Sequence, residues 1–408
     1  MLKTGRKTKA ATVFFVIYFM VLSHFFDFRP LIPYLGASSG LFILLMLLGI
    51  MFRSGKFAQV FQLTGKKYPI VFLSFVIISA IPCYIYRFQP LFVTLTASWS
   101  YCSVLLFYFL YVYNVNSTAL MKIVVFLAAI WTIIFFVQQF TYPSYIFGRA
   151  FLEDKGGGFR ERGGIICFTM SDAYGLAMLA FAYYAEKFSK NKSAFNTIMM
   201  VIFFGGVYLT QSRLLMGSTF LGFMYCMLVA GNKKKYGKWQ LNFLIFLCII
   251  CLLYFNFDLL FHDMKEQTEE DSEWFVRFES YAVYGTYWAG PMTFLFGNGI
   301  PAGDSAYSKE IQEWVDLWIT RDDIGIMGAM NTFGLIFVLV FIRYLFRIYQ
   351  NRNYIDKYLL TYALMTTICL PLGFPIFNHL VRTMIFTVYM YLVEKSIDNN
   401  KNKVILQS

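Results

Sequence analysis

Charge is what this sequence has least of. Only 14% of its 408 residues are Asp, Glu, Lys or Arg, and it has three histidines and ten prolines, whereas 58% are hydrophobic and 20% aromatic. With a mean hydropathy of +0.57, that composition excludes a soluble fold and gives a polytopic membrane protein. The net charge of +12 does not indicate nucleic acid, because the bases form short clusters between apolar runs instead of a basic face or arm. No HExxH is present, and no DxD falls on a loop assigned to the outside, so no metal and no cofactor are expected. The seven cysteines all lie in or beside apolar runs, including the CxxC at Cys248 and Cys251. They read as core residues, not as disulfides or metal ligands. There is no internal repeat, low-complexity tract or soluble domain, so residues 1–408 are read as one membrane domain.

What is present is a series of long apolar runs. A spanning helix needs roughly 20 apolar residues, which predicts about twelve transmembrane helices, near 11–28, 34–52, 68–86, 92–113, 120–141, 165–184, 193–210, 213–231, 240–257, 324–345, 358–375 and 377–394. Lys3, Arg6, Lys7 and Lys9 precede the first run as in a signal peptide, but no small-x-small cleavage site directly follows it, so it is taken as an uncleaved span. Most Lys and Arg then share one side, from Lys3–Lys9 through Lys66, Lys67, Lys122, Lys187, Lys190, Lys233–Lys238, Arg343, Arg347, Arg352 and Lys357 to Lys395 and Lys401. That is the positive-inside pattern, with both termini cytoplasmic. The run from 193 to 230 is divided into a hairpin on the same ground, because a single crossing would put the 187–192 and 233–238 clusters on opposite faces.

Two loops are then external, 142–164 and 258–323. The second lies before the tenth span and is the only long stretch unable to sit in hydrocarbon, which marks it as the working region. Within it Ile311, Trp314, Val315 and Trp318 recur three and four apart, predicting a short amphipathic helix that lies on the membrane surface or packs on the bundle. Gly156–Gly158 in the first loop reads as a hinge, since no Gly-Lys-Ser/Thr follows.

Arg213 stands inside an apolar hairpin, at a cost of about 2.5–3.5 kcal/mol unless it meets a partner or cavity. It either snorkels from a helix end or turns inward to grip phosphate, whose oxygens its planar fork matches. Arg160, Arg162, Arg277 and Arg321 add positive charge to an external surface otherwise short of bases, a pattern suited to an anionic substrate. Asp322 and Asp323 at the start of one span, and Asp172 near the start of another, are either helix caps or a general base. His262 and His379, the latter beside Arg382, are the other titratable candidates. Trp274, Trp288, Trp314 and Trp318 offer aromatic faces to sugar rings. The GxSxG of Gly36–Gly40 opens a predicted span without the strand-turn-helix setting of a nucleophile elbow and is assigned to close helix packing.

Four stretches in order resemble the O-antigen polymerase and ligase superfamily of Wzy-type membrane glycosyltransferases. They are Arg162-Gly163-Gly164 running into Asp172-Ala173-Tyr174-Gly175, then Leu209-Thr210-Gln211-Ser212-Arg213, then Arg277 with Leu295-Phe296-Gly297-Asn298-Gly299, and last Asp322-Asp323-Ile324-Gly325 with Gly328. The resemblance covers roughly 120–395. It implies an external active site in the bacterial cytoplasmic (inner) membrane, acting on glycans carried by a polyprenyl diphosphate. Arg162, Arg213 and Arg277 match the family's diphosphate-binding arginines, and Arg160 is grouped with them. Leu214 stands where a glycine often follows the Ser-Arg pair, and Asp322 and Asp323 stand where ligases tend to show histidine. The second departure favours a polymerase of O-antigen or capsule type over a ligase passing finished glycan to an acceptor. Asp322, Asp323 or His379 would be its base, and a chain-length regulator and a flippase of the same pathway its expected partners. A flippase or other transporter is the reading from a different class. Against it, the charges gather at the external rim and one loop dominates, whereas alternating-access transporters tend to show matching halves and charges near the midplane.

Overall fold

A computed structural model of the protein describes residues 66–141, 160–162, 165–167, 174–210, 212–229, 272–371, 373 and 380–405, with isolated positions between 45 and 55. The chain is mostly helical there, and two helical segments are long and apolar enough to cross a membrane, Tyr68–Arg87 and Ser117–Thr141. A third, Leu91–Ala97 with Tyr101–Val112, qualifies if its 57° bend is taken within one span. The runs at 11–28 and 240–257, and most of 34–52, lie outside the described residues.

We number the helices from Tyr68. The first run divides at Ser79 into α1 (Tyr68–Ile78) and α2 (Ala80–Arg87). Next come α3 (Leu91–Ala97), a 3-10 stretch over Ser98–Leu105, α4 (Leu106–Val112) and α5 (Ser117–Thr141). The expected 193–231 hairpin is two helices, α7 (Ala194–Leu209), with Ser193 capping its N-terminus, and α8 (Arg213–Val229). The span expected at 165–184 starts later: Ile165–Cys167 pair antiparallel with Arg160–Arg162 as β2 and β1, and α6 runs Tyr174–Lys190. That hairpin is the exception to an all-α reading. Gln139, near the end of α5, holds it with two hydrogen bonds to the backbone of Ile166, both 2.9 Å.

The 324–345 run is likewise broken, at Gly334, into α12 (Gly325–Phe333) and α13 (Leu335–Gln350), followed by α14 (Lys357–Cys369) and α15 (Leu380–Ile405). Helix α6 is the centre of the bundle, packed by α5, α7, α8 and α14. Burial on nearly all its faces is why its sequence is apolar and small all round, from Gly175 to Ala185.

The bundle has two unlike ends. At one, Lys66 reaches Glu394 at 3.0 Å and Asp398 at 2.7 Å, and Arg347 reaches Glu394 at 2.8 Å. Glu186 there binds Lys190 and accepts the Tyr358 backbone N–H. Many of the bases assigned by sequence to one side therefore meet at one end. At the other end sits the described part of the large loop, residues 272–324, which folds as an insert with its own small core.

Candidate functional site

The insert contains α9 (Ser272–Thr286), α10 (Pro291–Phe296), α11 (Ala306–Asp316) and a 3-10 turn at Asp322–Ile324. Helix α11 is the amphipathic helix expected from sequence. Ile311 is buried, and Trp314 and Val315 pack with Tyr284, Tyr307 and Ile319, so its apolar face closes the insert's core. Trp318 does not follow them. It takes a left-handed φ of 66° just past the helix end and is 58% exposed.

Two backbones cross where the insert meets the bundle. Gly297 and Gly334 both have φ 89°, and a Cβ on either would overlap the other strand's backbone, at the Thr332 and Leu295 carbonyls respectively. The crossing is fastened by Asn298 N–H to Asn331 O at 2.8 Å and Gly299 N–H to Thr332 O at 3.0 Å. Only glycine combines this backbone conformation with so close an approach. The Leu-Phe-Gly-Asn-Gly motif is therefore a joint, and it holds the 3-10 turn bearing Asp322 and Asp323 against the bundle.

Around that joint two guanidinium groups alternate with tyrosine rings. Arg87, the last residue of α2, lies 3.5 Å from the Tyr287 ring centroid and 5.5 Å from that of Tyr307. Arg321 lies 5.5 Å from Tyr307 and 5.1 Å from Tyr284. Arg321 donates to the Tyr307 hydroxyl at 2.6 Å and to Gly299 O at 3.4 Å, while its Nε is buried without a hydrogen bond. Arg87 donates to Asn298 Oδ1 at 3.0 Å and to Tyr287 O at 3.3 Å. Neither has a carboxylate within ion-pairing distance among the described residues; of the two acids in electrostatic reach of Tyr284, Glu310 accepts from the Tyr287 hydroxyl and Asp322 is exposed. The shared Tyr307 ring keeps the two cations within about 11 Å, where they repel by about 1.5 kcal/mol at an effective dielectric of about 20. Ring quadrupoles and carbonyl dipoles offset that cost. Burial raises the phenol of Tyr307, and that of Tyr284 to about 12, while the Arg321 charge pulls both back. Burial alone would depress Arg321, but Tyr307 and Tyr284 outweigh it and its pKa is raised. The tyrosines thus stay neutral and the arginine charged.

Asp322 and Asp323 follow Arg321 directly. Asp323 accepts from Thr320 Oγ1 at 2.7 Å, and Asp322 is exposed. The Tyr101 hydroxyl lies within electrostatic reach of both Asp322 and Arg382, which brings the start of α15 to the same neighbourhood. Arg382 also lies 5.3 Å from the ring centroid of Tyr174, at the start of α6. The 370–373 segment gathers further elements. Leu370 O accepts from Ile326 N–H at 2.7 Å, Pro371 O from the Tyr281 hydroxyl, and Gly373 adjoins Leu214. Arg277 lies one turn before Tyr281 on α9 and within its electrostatic reach, and Arg213 opens α8 next to Leu214.

Of the sequence candidates, Asp322 and Asp323 therefore stand together on the turn, while Arg277 and Arg213 lie on α9 and α8, two helices that meet the adjoining 370–373 segment through Tyr281 and Leu214. Arg160 and Arg162 lie on the β1–β2 hairpin at the end of α5; their side chains, and His379 altogether, fall outside the described residues, as do Asp172 and His262. The four tryptophans are not brought together. Trp314 is in the insert core, Trp288 donates to Gly285 O at 2.7 Å and meets Phe294 edge-on, Trp318 points outward, and Trp274 is placed by backbone alone. Sequence reading missed Arg87, whose signal was a lone arginine closing a long apolar run, and noted Arg382 only as a neighbour of His379. The chain matches no protein-family model and no curated protein.

Proposed function

We propose that the protein is a metal-independent membrane glycosyltransferase that joins polyprenyl-diphosphate-linked oligosaccharide repeat units into a surface polysaccharide at the external face of the cytoplasmic membrane. The observation that carries this reading is the setting of Asp322 and Asp323: a turn that directly follows the clamped Arg321, with Asp322 and Arg382 both in electrostatic reach of Tyr101, at the bundle end opposite the Lys66–Glu394 network. An exposed carboxylate among guanidinium groups has the parts that glycosyl transfer from a diphosphate requires. Asp322 or Asp323 takes the proton of the acceptor hydroxyl, whose oxygen attacks the anomeric carbon as the bond to the diphosphate breaks. Arg213, Arg277 and Arg382, with Arg160 and Arg162 from the hairpin, stabilise the charge on the departing diphosphate. A diphosphate is already a good leaving group, so no covalent intermediate is needed, and a single displacement inverts the anomeric configuration.

Reconstitution tests the reading. The protein in lipid nanodiscs, given the lipid-linked repeat unit of its own host, should produce a ladder of lengthened lipid-linked glycans. Transfer of one glycan to a different acceptor without chain growth would make it a ligase, and no transfer at all would remove the enzyme reading.

A further inference from the structure

Two cations meet at the seam between α2 and the insert, and among the described residues neither has an acid within ion-pairing distance. Every described carboxylate lies beyond ion-pairing distance of Arg87 and of Arg321, and Glu310 spends one carboxylate oxygen on Tyr287. Arg321 is turned inward, holding Tyr307 and Gly299. Arg87 differs: its Nε and Nη2 are used on Asn298 and Tyr287, whereas Nη1 makes no hydrogen bond among the described residues and keeps accessible surface. Two N–H groups of a charged fork are therefore left without a hydrogen bond among the described residues, on a half-buried side chain next to the Tyr287, Tyr307 and Trp314 rings.

We propose that this seam is a sugar subsite selective for a carboxylate-bearing sugar, with the Arg87 Nη1 donating to the carboxylate and the half-buried aromatic edge of Tyr287 and Trp314 meeting the ring. The assignment to a sugar rests on the polymerase reading; the anion preference rests on the guanidinium of Arg87, which has no ion pair among the described residues and an Nη1 left without a hydrogen bond. Guanidinium is the side chain suited to a planar carboxylate, and its held geometry lowers the ordering cost of binding. Arg87 is thus a specificity residue apart from the Asp322 neighbourhood, and the repeat unit this protein takes is an acidic one.

Trp314 is the reporter, because its ring lies 4.7 Å from that of Tyr287, edge to face. Purified full-length protein in nanodiscs is titrated with glucuronate, with its neutral methyl ester, with glucose and with pyrophosphate, following tryptophan emission, and W314F identifies the part of the signal that arises here. A saturable response to glucuronate, absent for ester and glucose, is expected. R87Q should abolish it and R87K should weaken binding at least ~10-fold, since lysine lacks the fork. Equal responses to glucuronate and its ester, or a response unchanged in R87Q, would overturn the site. Saturation by pyrophosphate without glucuronate would overturn the acidic-sugar assignment and make Arg87 a contact of the carrier. The ester comparison uses the wild type, so it holds even where R87Q fails to fold. Binding needs no turnover: a protein that binds glucuronate but makes no polymer sinks the polymerase reading alone, and one that polymerises but ignores glucuronate sinks this inference alone.

Discussion

At the scale of single residues, the site depends on how a buried positive charge is tolerated. Among the described residues Arg321 has no carboxylate within ion-pairing distance, and it is held by two tyrosine faces, one phenol and one carbonyl. R321K keeps the charge but loses the planar fork, and should lower thermal stability by about 2 kcal/mol. It should also reduce chain growth, because the Asp322–Ile324 turn is no longer fixed. Y307F, which removes only the hydroxyl, should cost about 1 kcal/mol; stability equal to wild type in both variants would show that the clamp does not hold the turn. The carboxylates predict separately. Whichever of D322N and D323N removes the base should lower the polymerisation rate by ~100-fold or more with substrate binding retained, measured by single-turnover assay. Asp322 and Asp323 were legible in the sequence as acids opening a span, because charge next to an apolar run is conspicuous. Arg87 was not, since a basic residue closing a helix is ordinary and only its placement against Tyr287 and Tyr307 gives it meaning.

At the scale of elements, the crossing of Gly297 over Gly334 joins the insert to the bundle. A Cβ at either would strike the other strand's backbone, which cannot move aside as a flexible side chain can. G297A and G334A should each destabilise by about 2 kcal/mol or more. The double variant should fall short of their sum, because the first substitution already opens the joint that the second would strain. Denaturation in a mild detergent series would measure this, and strict additivity would mean that the two glycines act independently. Hydropathy found the Tyr68–Arg87 and Ser117–Thr141 segments to within three residues at each end, because a long apolar run is conspicuous, but not the division of the first at Ser79. It missed the break at Gly334 and the strand at Ile165–Cys167, where the chain stays apolar while its backbone changes. The α11 helix was visible from the three- and four-residue spacing of Ile311, Trp314 and Val315. Trp318 continued the pattern in sequence yet left the packed face at the left-handed turn.

At the scale of the whole molecule, the bundle is polarised. Lys66, Arg347, Glu394 and Asp398 form a network at one end, with the Glu394 side chain only 4% exposed, and the insert occupies the other. E394Q leaves Lys66 and Arg347 without their shared acid and should cost about 3 kcal/mol, read as loss of folded protein on heating, with little effect on sugar binding at the opposite end. Lys66, Lys190 and Arg347, three of the bases that charge-counting put on one side, make ion pairs at that end. The central claim concerns the step this molecule performs, and deleting its gene in its own host, then sizing lipid-linked and surface glycans on a gel, tests it most directly. The account predicts single repeat units in place of a ladder. A full ladder stranded on the carrier lipid, or repeat units trapped on the cytoplasmic face, would contradict it.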